Sequence, residues 1–447
     1  MTSTGKVEEE MNNISALQQQ LYKEGSARNL FLHLIGSLQE APSLLRSGLP
    51  PAKPAVVVDA TTEALAGLDI ARALHASLIR VPTRADGTVV AGRQEADWLQ
   101  QQLAKVGAAS AIAVGAGVLN DLTKYASHQL NIPCAVVATA PSMNGYTSAG
   151  VALLDSGIKT SVPCQAPRIV VAPLDVLARA PARMIAAGFG DLCSRPVSGA
   201  DWYLGHRLLA TPYNSDALRL VDSADDITRD ISTGLAQRSP ESIARLTAGL
   251  LLSGMAMDIA GTSAPSSGCE HLISHHLDMF HFACGGNHDL HGCQVGVATI
   301  AVSRLYERFV ATDIAAIEAP TQEPWEDLAE RLAQHFGPLW DAVEPVARQV
   351  YELQTNGAER RAALHGQWQQ IQTQVRRILG AEPGNSQQLA LAGGPVRFRE
   401  IGIVPAQARE AMLLARYVRA RYTLLDLLAE LGLLEVWIDD MLAAGDL

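Results

Sequence analysis

The chain is 447 residues long, 48% hydrophobic and 18% charged, with 46 acidic against 35 basic residues and a formal net charge of -11. That length exceeds what one compact core usually serves, so two domains meeting at a cleft are expected, and a small-molecule site belongs in such a cleft. The acidic balance, with no basic block interleaved with aromatics, excludes nucleic acid and an anionic membrane as natural partners.

The opening MTSTGKVEEEMNN is polar and acidic and lacks a basic stretch followed by an apolar one, so no secretory signal is read there and a cytoplasmic location is expected. Residues 1–25 carry a weak helical pattern and are read as a helical lead-in. From 26 to 182, the short apolar runs PAVVVDA, ASAIAVGAG, PCAVVATAP and RIVVAPLDVL alternate with helical stretches. That alternation predicts a parallel sheet wrapped by helices, an α/β dinucleotide-binding domain. From 183 to 447, Leu/Ala-rich segments with charges on the opposite face replace the strand-like runs, and the second domain is expected to be all-α. Within it, LTAGLLLSGMAM, between Arg245 and Asp258, is too short for a membrane span and reads as a buried core helix. The Gly- and Pro-rich stretch 382–405 reads as a loop between helices. Six cysteines without any C-x-x-C spacing read as reduced packing thiols.

Three places in the first domain suit a dinucleotide. AIAVGAGVLNDLTKYAS runs from a buried strand through Gly115, Ala116 and Gly117 into a helix carrying Asp121 and Lys124. Small residues there let backbone N–H groups approach a pyrophosphate at the helix N-terminus, where the dipole favours an anion. Asn120 stands where the third glycine of G-x-G-x-x-G would be, so this is not that fingerprint. The turn TAPSMNGYTSAG adds hydroxyls at Thr139, Ser142, Thr147 and Ser148 and the Asn144 amide, and Asp59 ends VVVDA where a carboxylate can take a ribose hydroxyl. Taken singly, each has an ordinary reading beside it: a tight turn, a polar turn, an acid that caps.

Half of the twelve histidines fall between residues 271 and 291. His271 and His275 in EHLISHHLDMF are four apart and share one helical face, and His276 points elsewhere. His291 opens another helix in LHGCQVGVATI. Two imidazoles from separate elements suit a borderline divalent ion, with a carboxylate as the usual third ligand and open positions left for substrate. Asp191 in AAGFGDLCSRPVSGADW is the first candidate, because flanking glycines and Pro196 are read as interrupting a helix and aiming its side chain into the cleft. Glu270 and Asp278 compete for the role, and His281 and His288 are read as ordinary surface or core residues.

The ordered segments GAGVLNDLTK, TAPSMNGYTS, GFGDL, SGCEHLISH and LHGCQVGVAT, with the C-terminal RARYTLLDLLAELGLL, resemble the sn-glycerol-1-phosphate dehydrogenases, the bacterial members most of all. The likeness covers nearly the whole chain beyond the first 25 residues. It implies the two-domain architecture of the dehydroquinate synthase and iron-type alcohol dehydrogenase superfamily. It further implies a cytoplasmic, homo-oligomeric oxidoreductase that interconverts dihydroxyacetone phosphate and glycerol 1-phosphate with NAD or NADP and one divalent ion, zinc, nickel or iron. Carried onto matching positions, it implies that Asp59, Gly117, Val118, Leu119, Asn120, Asp121, Thr139, Ala140, Pro141, Ser142 and Ser148 contact the dinucleotide. Asn144, Asp191 and His275 would face substrate, and Asp191, His271 and His291 would hold the metal.

This sequence departs from that pattern in having Asn144 where many relatives have aspartate, Ala116 for a glycine, Arg195 for a lysine, and Cys269 and Cys293 where Ser and Glu are frequent. Asn144 removes a charge and an acceptor beside the substrate, which leaves phosphorylated and free polyols both in view. The metal would polarise the ketone and His275 would hydrogen-bond the substrate or relay a proton. Lys159 and Arg195 are the nominated phosphate partners. The competing readings are a glycerol dehydrogenase, a dehydroquinate synthase-type lyase, for which the motif regions hold too few basic residues, and a non-catalytic metal- or nucleotide-binding protein.

Overall fold

The computed structural model describes residues 3–84, 87–155, 157–285, 288–314, 317, 320–380 and 386–447. Its strands are β1 (Phe31–Ile35), β2 (Pro54–Val58), β3 (Ser77–Arg80), β4 (Ser110–Gly115), β5 (Cys134–Ala138), β6 (Gly150–Asp155), β7 (Ile158–Pro163) and β8 (Ile169–Pro173). Six form one parallel sheet in the order β1-β8-β5-β4-β2-β3, and β6 and β7 make a separate antiparallel hairpin. β2, β4, β5 and β8 are continuous apolar runs because apolar side chains cover both of their faces. After β8 no strand is found among the described residues, so the architecture is the expected α/β unit followed by a helical one.

The helices used below are α1 (Ser3–Ser26), α2 (Gly117–Gln129), α3 (Ala182–Cys193), α4 (Arg195–Leu209), α5 (Pro240–Ala260), α6 (Cys269–Cys284) and α7 (His291–Ala311). The lead-in helix has a definable structural job. Gln18 on α1 accepts the Leu34 N–H at 2.6 Å and donates to the Leu32 carbonyl at 3.0 Å, so its amide satisfies the outer edge of β1. An open strand edge is thereby covered. α5 is long and apolar enough to cross a membrane by composition, but 72% of its apolar window is buried. It packs in one core with Leu21 of α1 and with β1, β5 and β8. The stretch 382–405, expected as a loop, contains a short helix at Ser386–Leu391 and a 3-10 turn at Phe398–Ile401; residues 382–385 lie outside the described set.

The sheet order places a switch point between β2 and β4, since the chain leaves β2 toward β3 and then returns through β4 to β5 and β8. Ligands in open parallel sheets bind outside the carboxyl ends of strands at such a point. Asp59 follows β2 and Gly117 follows β4, one on each side of it. Gly115 is in register with Ala138, so the turns after β4 and β5 leave the sheet side by side.

Candidate active site

The turn after β5 is held at several points. Tyr146 donates to the Ala140 carbonyl at 2.7 Å, and Thr147 donates to Leu251 of α5 at 2.7 Å. Lys124, buried on α2, donates to the carbonyls of Gly145 at 3.0 Å and Gly150 at 2.7 Å and to Ser148 at 3.2 Å. Burial pushes its ammonium down, with the Asp121 charge opposing. Lys124 therefore fastens the helix that follows β4 to the turn that follows β5.

Asp191 does not sit at a helix break. It lies inside α3, which runs on to Cys193, and Pro196 instead opens α4. The neighbouring glycines serve close approach: a Cβ on Gly190 would collide with the Gly292 carbonyl, and one on Gly292 with the Ala187 carbonyl. α3 and the start of α7 thus touch backbone to backbone, which brings Asp191 beside His291. On its other side, Asp191 Oδ2 accepts the Asn144 N–H at 2.8 Å.

His271 sits in the first turn of α6, with Nε2 3.3 Å from Asp191 Oδ1 and Nδ1 2.7 Å from Glu270 Oε1. A carboxylate can only accept, so Nδ1 carries a proton and Nε2 is left facing Asp191. His291 Nδ1 lies 3.0 Å from the Ser274 hydroxyl, which itself donates to Gln294 at 2.7 Å. Ser274 has one hydrogen to give, so His291 Nδ1 must donate and its Nε2 lone pair remains. Asp191 Oδ1 is buried without a hydrogen-bond donor. One ligand atom from each of Asp191, His271 and His291 lies within 4.8 Å of the other two. Three converging acceptors without donors fit a divalent cation, and oxygen with two imidazoles suits the borderline ions.

The electrostatics agree with that fit. Burial disfavours charge on His271, but the Asp191 and Glu270 carboxylates beside it outweigh that and carry the imidazole up to about 9. The gap between its Nε2 and Asp191 thus favours positive charge, supplied by a proton or by a metal ion that displaces it. Burial also works to raise Asp191, yet His271, with His291 and the Asn144 amide, holds it below the usual carboxylate range. His291 falls to about 3 through burial and the charges of Lys159 and His271. His275, its ring stacked on His291 with centroids 5.9 Å apart, is held far below its usual value by burial, then by Lys159 and Arg419.

His271, His275 and His291 share a cleft of about 640 Å³ with Gly117, Val118, Asp121, Asn144 and Ser148, while Asp191 is buried beside His271 and is not part of the lining. Leu119 and Asn120 are buried within α2 and support it. Asp59 caps the next helix, accepting the Thr62 N–H at 2.7 Å, and Thr139, Ala140, Pro141 and Ser142 follow β5 without lining this cleft. Asn144 donates its amide to Ser253 at 3.4 Å, and Ser253 donates on to Ser266 at 2.8 Å. A donor is what that serine can use, so the amide suits its neighbour better than a carboxylate would.

Of the rival acids, Glu270 orients His271, and Asp278 binds Lys159 at 2.7 Å and His288 at 3.2 Å. Arg195 is outside the cleft, buried and paired with Asp225 at 3.0 Å. His281 and His288 stack on each other outside the cleft lining. Sequence reasoning missed Arg419 and Arg421, which do line the cleft. The signal was present in RARYT, two arginines flanking one alanine ahead of a helix.

Residues 35–181 match the family model described as iron-containing alcohol dehydrogenase. The chain is 32% identical over 400 residues to the glycerol-1-phosphate dehydrogenase [NAD(P)+] of Bacillus licheniformis, covering 89% of this chain and 87% of that one. It is 31% identical to the enzyme of the same name from Bacillus velezensis, over 84% of this chain and 85% of the relative. Among solved structures, a probable glycerol dehydrogenase from Sinorhizobium meliloti superposes with a TM-score of 0.58 at 14% identity, covering 92% and 98% of the two chains, a likeness of fold.

Proposed function

Since the chain belongs to the glycerol-1-phosphate dehydrogenase family, we propose that it reduces dihydroxyacetone phosphate to sn-glycerol 1-phosphate, and runs the reverse oxidation, with NAD(P)H and one divalent ion. The observation that carries this reading is the convergence of Asp191, His271 and His291, the two histidines lining the cleft that also receives the α2 N-terminus.

In this reading Asp191, His271 and His291 hold the ion, which supplies Lewis-acid polarisation of the substrate oxygen. The protein's own groups do the rest. Glu270 and Ser274 fix the tautomers of His271 and His291, and the Asn144 N–H fixes Asp191, so the donor set is aimed before any ligand arrives. Gly117 and Val118 begin α2 at the cleft, where helix N–H groups can take the dinucleotide phosphates. His275, kept neutral, can accept at one ring nitrogen and donate at the other, so it can bind the substrate hydroxyl and pass a proton to the new alcohol.

A glycerol dehydrogenase would use the same donor set on a free polyol, and the assay separates the two. Purified protein loaded with zinc, nickel or iron should oxidise NADH or NADPH with dihydroxyacetone phosphate far faster than with dihydroxyacetone. Turnover of the free ketone alone would move the reading to a glycerol dehydrogenase, and no turnover of either by loaded protein would sink it.

A further inference from the structure

The cleft has a cationic end that neither the Asp191, His271 and His291 set nor the α2 N-terminus uses. Arg419 and Arg421 both line it together with His271, His275 and His291, and the Arg419 charge reaches His275. Neither guanidinium has a carboxylate within ion-pairing distance among the described residues, whereas the neighbouring Arg416 is paired with Asp426, as Arg360 is with Glu430. Arg419 instead donates to the Ser161 hydroxyl on β7. Arg421 donates to the Ser267 carbonyl, to the Ser267 hydroxyl at 3.0 Å and to the Ser263 hydroxyl at 2.7 Å. These contacts hold the two forks in place without neutralising them.

Two like charges side by side in a partly buried cleft are costly unless an anion joins them. Burial presses both guanidiniums toward neutrality; on Arg421 the Arg419 charge adds to the effect, and the more distant Glu270 and Asp201 charges oppose it without reversing it. The other cation here, Lys159, is already paired with Asp278. Three hydroxyls, Ser161, Ser263 and Ser267, ring the pair, and Ser267 is four residues before His271, so the cationic end abuts the metal-ligating turn of α6. The dinucleotide phosphates have their own cradle at the start of α2.

We infer that Arg419 and Arg421 form the subsite for the phosphate monoester of the substrate, and so set the preference for a phosphorylated over a free ketone. This rests on the reading above, and it replaces the nomination of Lys159 and Arg195. Planar guanidinium forks match a phosphate's oxygens, and a charged hydrogen bond made in both ground and transition states lowers KM more than it raises kcat.

The test uses the metal-loaded enzyme and Arg419→Gln and Arg421→Gln. A wild type that fails to prefer dihydroxyacetone phosphate over dihydroxyacetone would overturn the function itself. Where that preference holds, each variant should lose roughly 10- to 100-fold in kcat/KM for the phosphorylated ketone, mainly through KM, at unchanged dihydroxyacetone turnover and unchanged NADH to NADPH ratio. Calorimetric titration with inorganic phosphate should show binding to wild type that weakens by a similar factor in both variants. A retained preference for the phosphorylated ketone overturns the subsite. So does an equal loss on both ketones, which marks a structural role, or a change confined to NADPH, which moves the arginines to the nucleotide.

Discussion

Two sets of metal-type residues meet at the first turn of α6, and they differ in what their atoms still have to offer. Asp191, His271 and His291 form one; Asp201, Cys269 and Glu270 form the other, and both are tight enough to surround an ion. In the second, Asp201 already accepts the N–H groups of Cys269 at 2.7 Å and Leu424 at 2.8 Å and the Tyr306 hydroxyl at 2.6 Å. Burial, helped by the Asp201 and Glu270 charges, drives the Cys269 thiol well up, so its sulfur keeps the proton. Glu270 Oε2 is the one oxygen there without a partner. Residue type and proximity are thus shared; engagement of the lone pairs separates a binding site from a structural knot.

The largest expected effect breaks the first set and spares the second. His271→Ala should lose bound metal and at least about 1000-fold in turnover, because a ligand and its transition-state role vanish together. Cys269→Ser should keep both. Metal analysis and NADH oxidation on the two proteins decide it: equal metal loss would erase the distinction, and full metal and activity in His271→Ala would remove His271 from the ligand set.

Next in size is the residue the two sets share. Glu270 belongs to the second by position and serves the first by orienting His271. Glu270→Gln should weaken metal binding roughly 10- to 100-fold, the usual cost of losing an outer partner of a metal-bound imidazole. Asp201→Asn should leave it nearly unchanged. Competition with a chelator of known affinity measures both, and an intact affinity in Glu270→Gln would make that carboxylate purely structural.

Much of this was legible in the residues, for identifiable reasons. β2, β4, β5 and β8 stand out because strands covered on both faces read as unbroken apolar runs. β1 is interrupted by His33 and β3 is an edge strand with mostly exposed side chains, so neither announces itself. The β6–β7 hairpin alternates too weakly to see, yet it supplies Lys159 and Ser161 to the cleft wall. Histidine spacing marked α6, but spacing within one helix could not choose the carboxylate. That choice depends on the Gly190–Gly292 contact between α3 and α7, a hundred residues apart in sequence, and the same glycines read locally as a helix break. Arg419 and Arg421 were hidden likewise, since the serines that hold them lie more than 150 residues away.

The smallest effect extends the comparison to a third histidine of α6. His276 stands apart from the Asp191, His271 and His291 set, stacks on Phe280 with centroids 4.5 Å apart and meets His335 ring nitrogen to ring nitrogen at 3.1 Å. Burial, then the His335 charge, lowers it to about 3. The folded state therefore binds its proton more weakly than the unfolded chain does. Its contribution to stability is complete above the unfolded value of about 6.5 and declines as pH falls from there toward 3. At pH 5 the loss is roughly 2 kcal/mol, and this figure depends little on the folded value so long as that stays below 5. His276→Phe keeps the stacking and removes the proton, so its unfolding free energy should drop less than wild type between pH 7 and pH 5, by about that amount. Urea unfolding at the two pH values measures the difference. Parallel pH dependence in the two proteins would mean that His276 is protonated in the fold, and that this face of α6 tolerates a positive charge as the His271 face does.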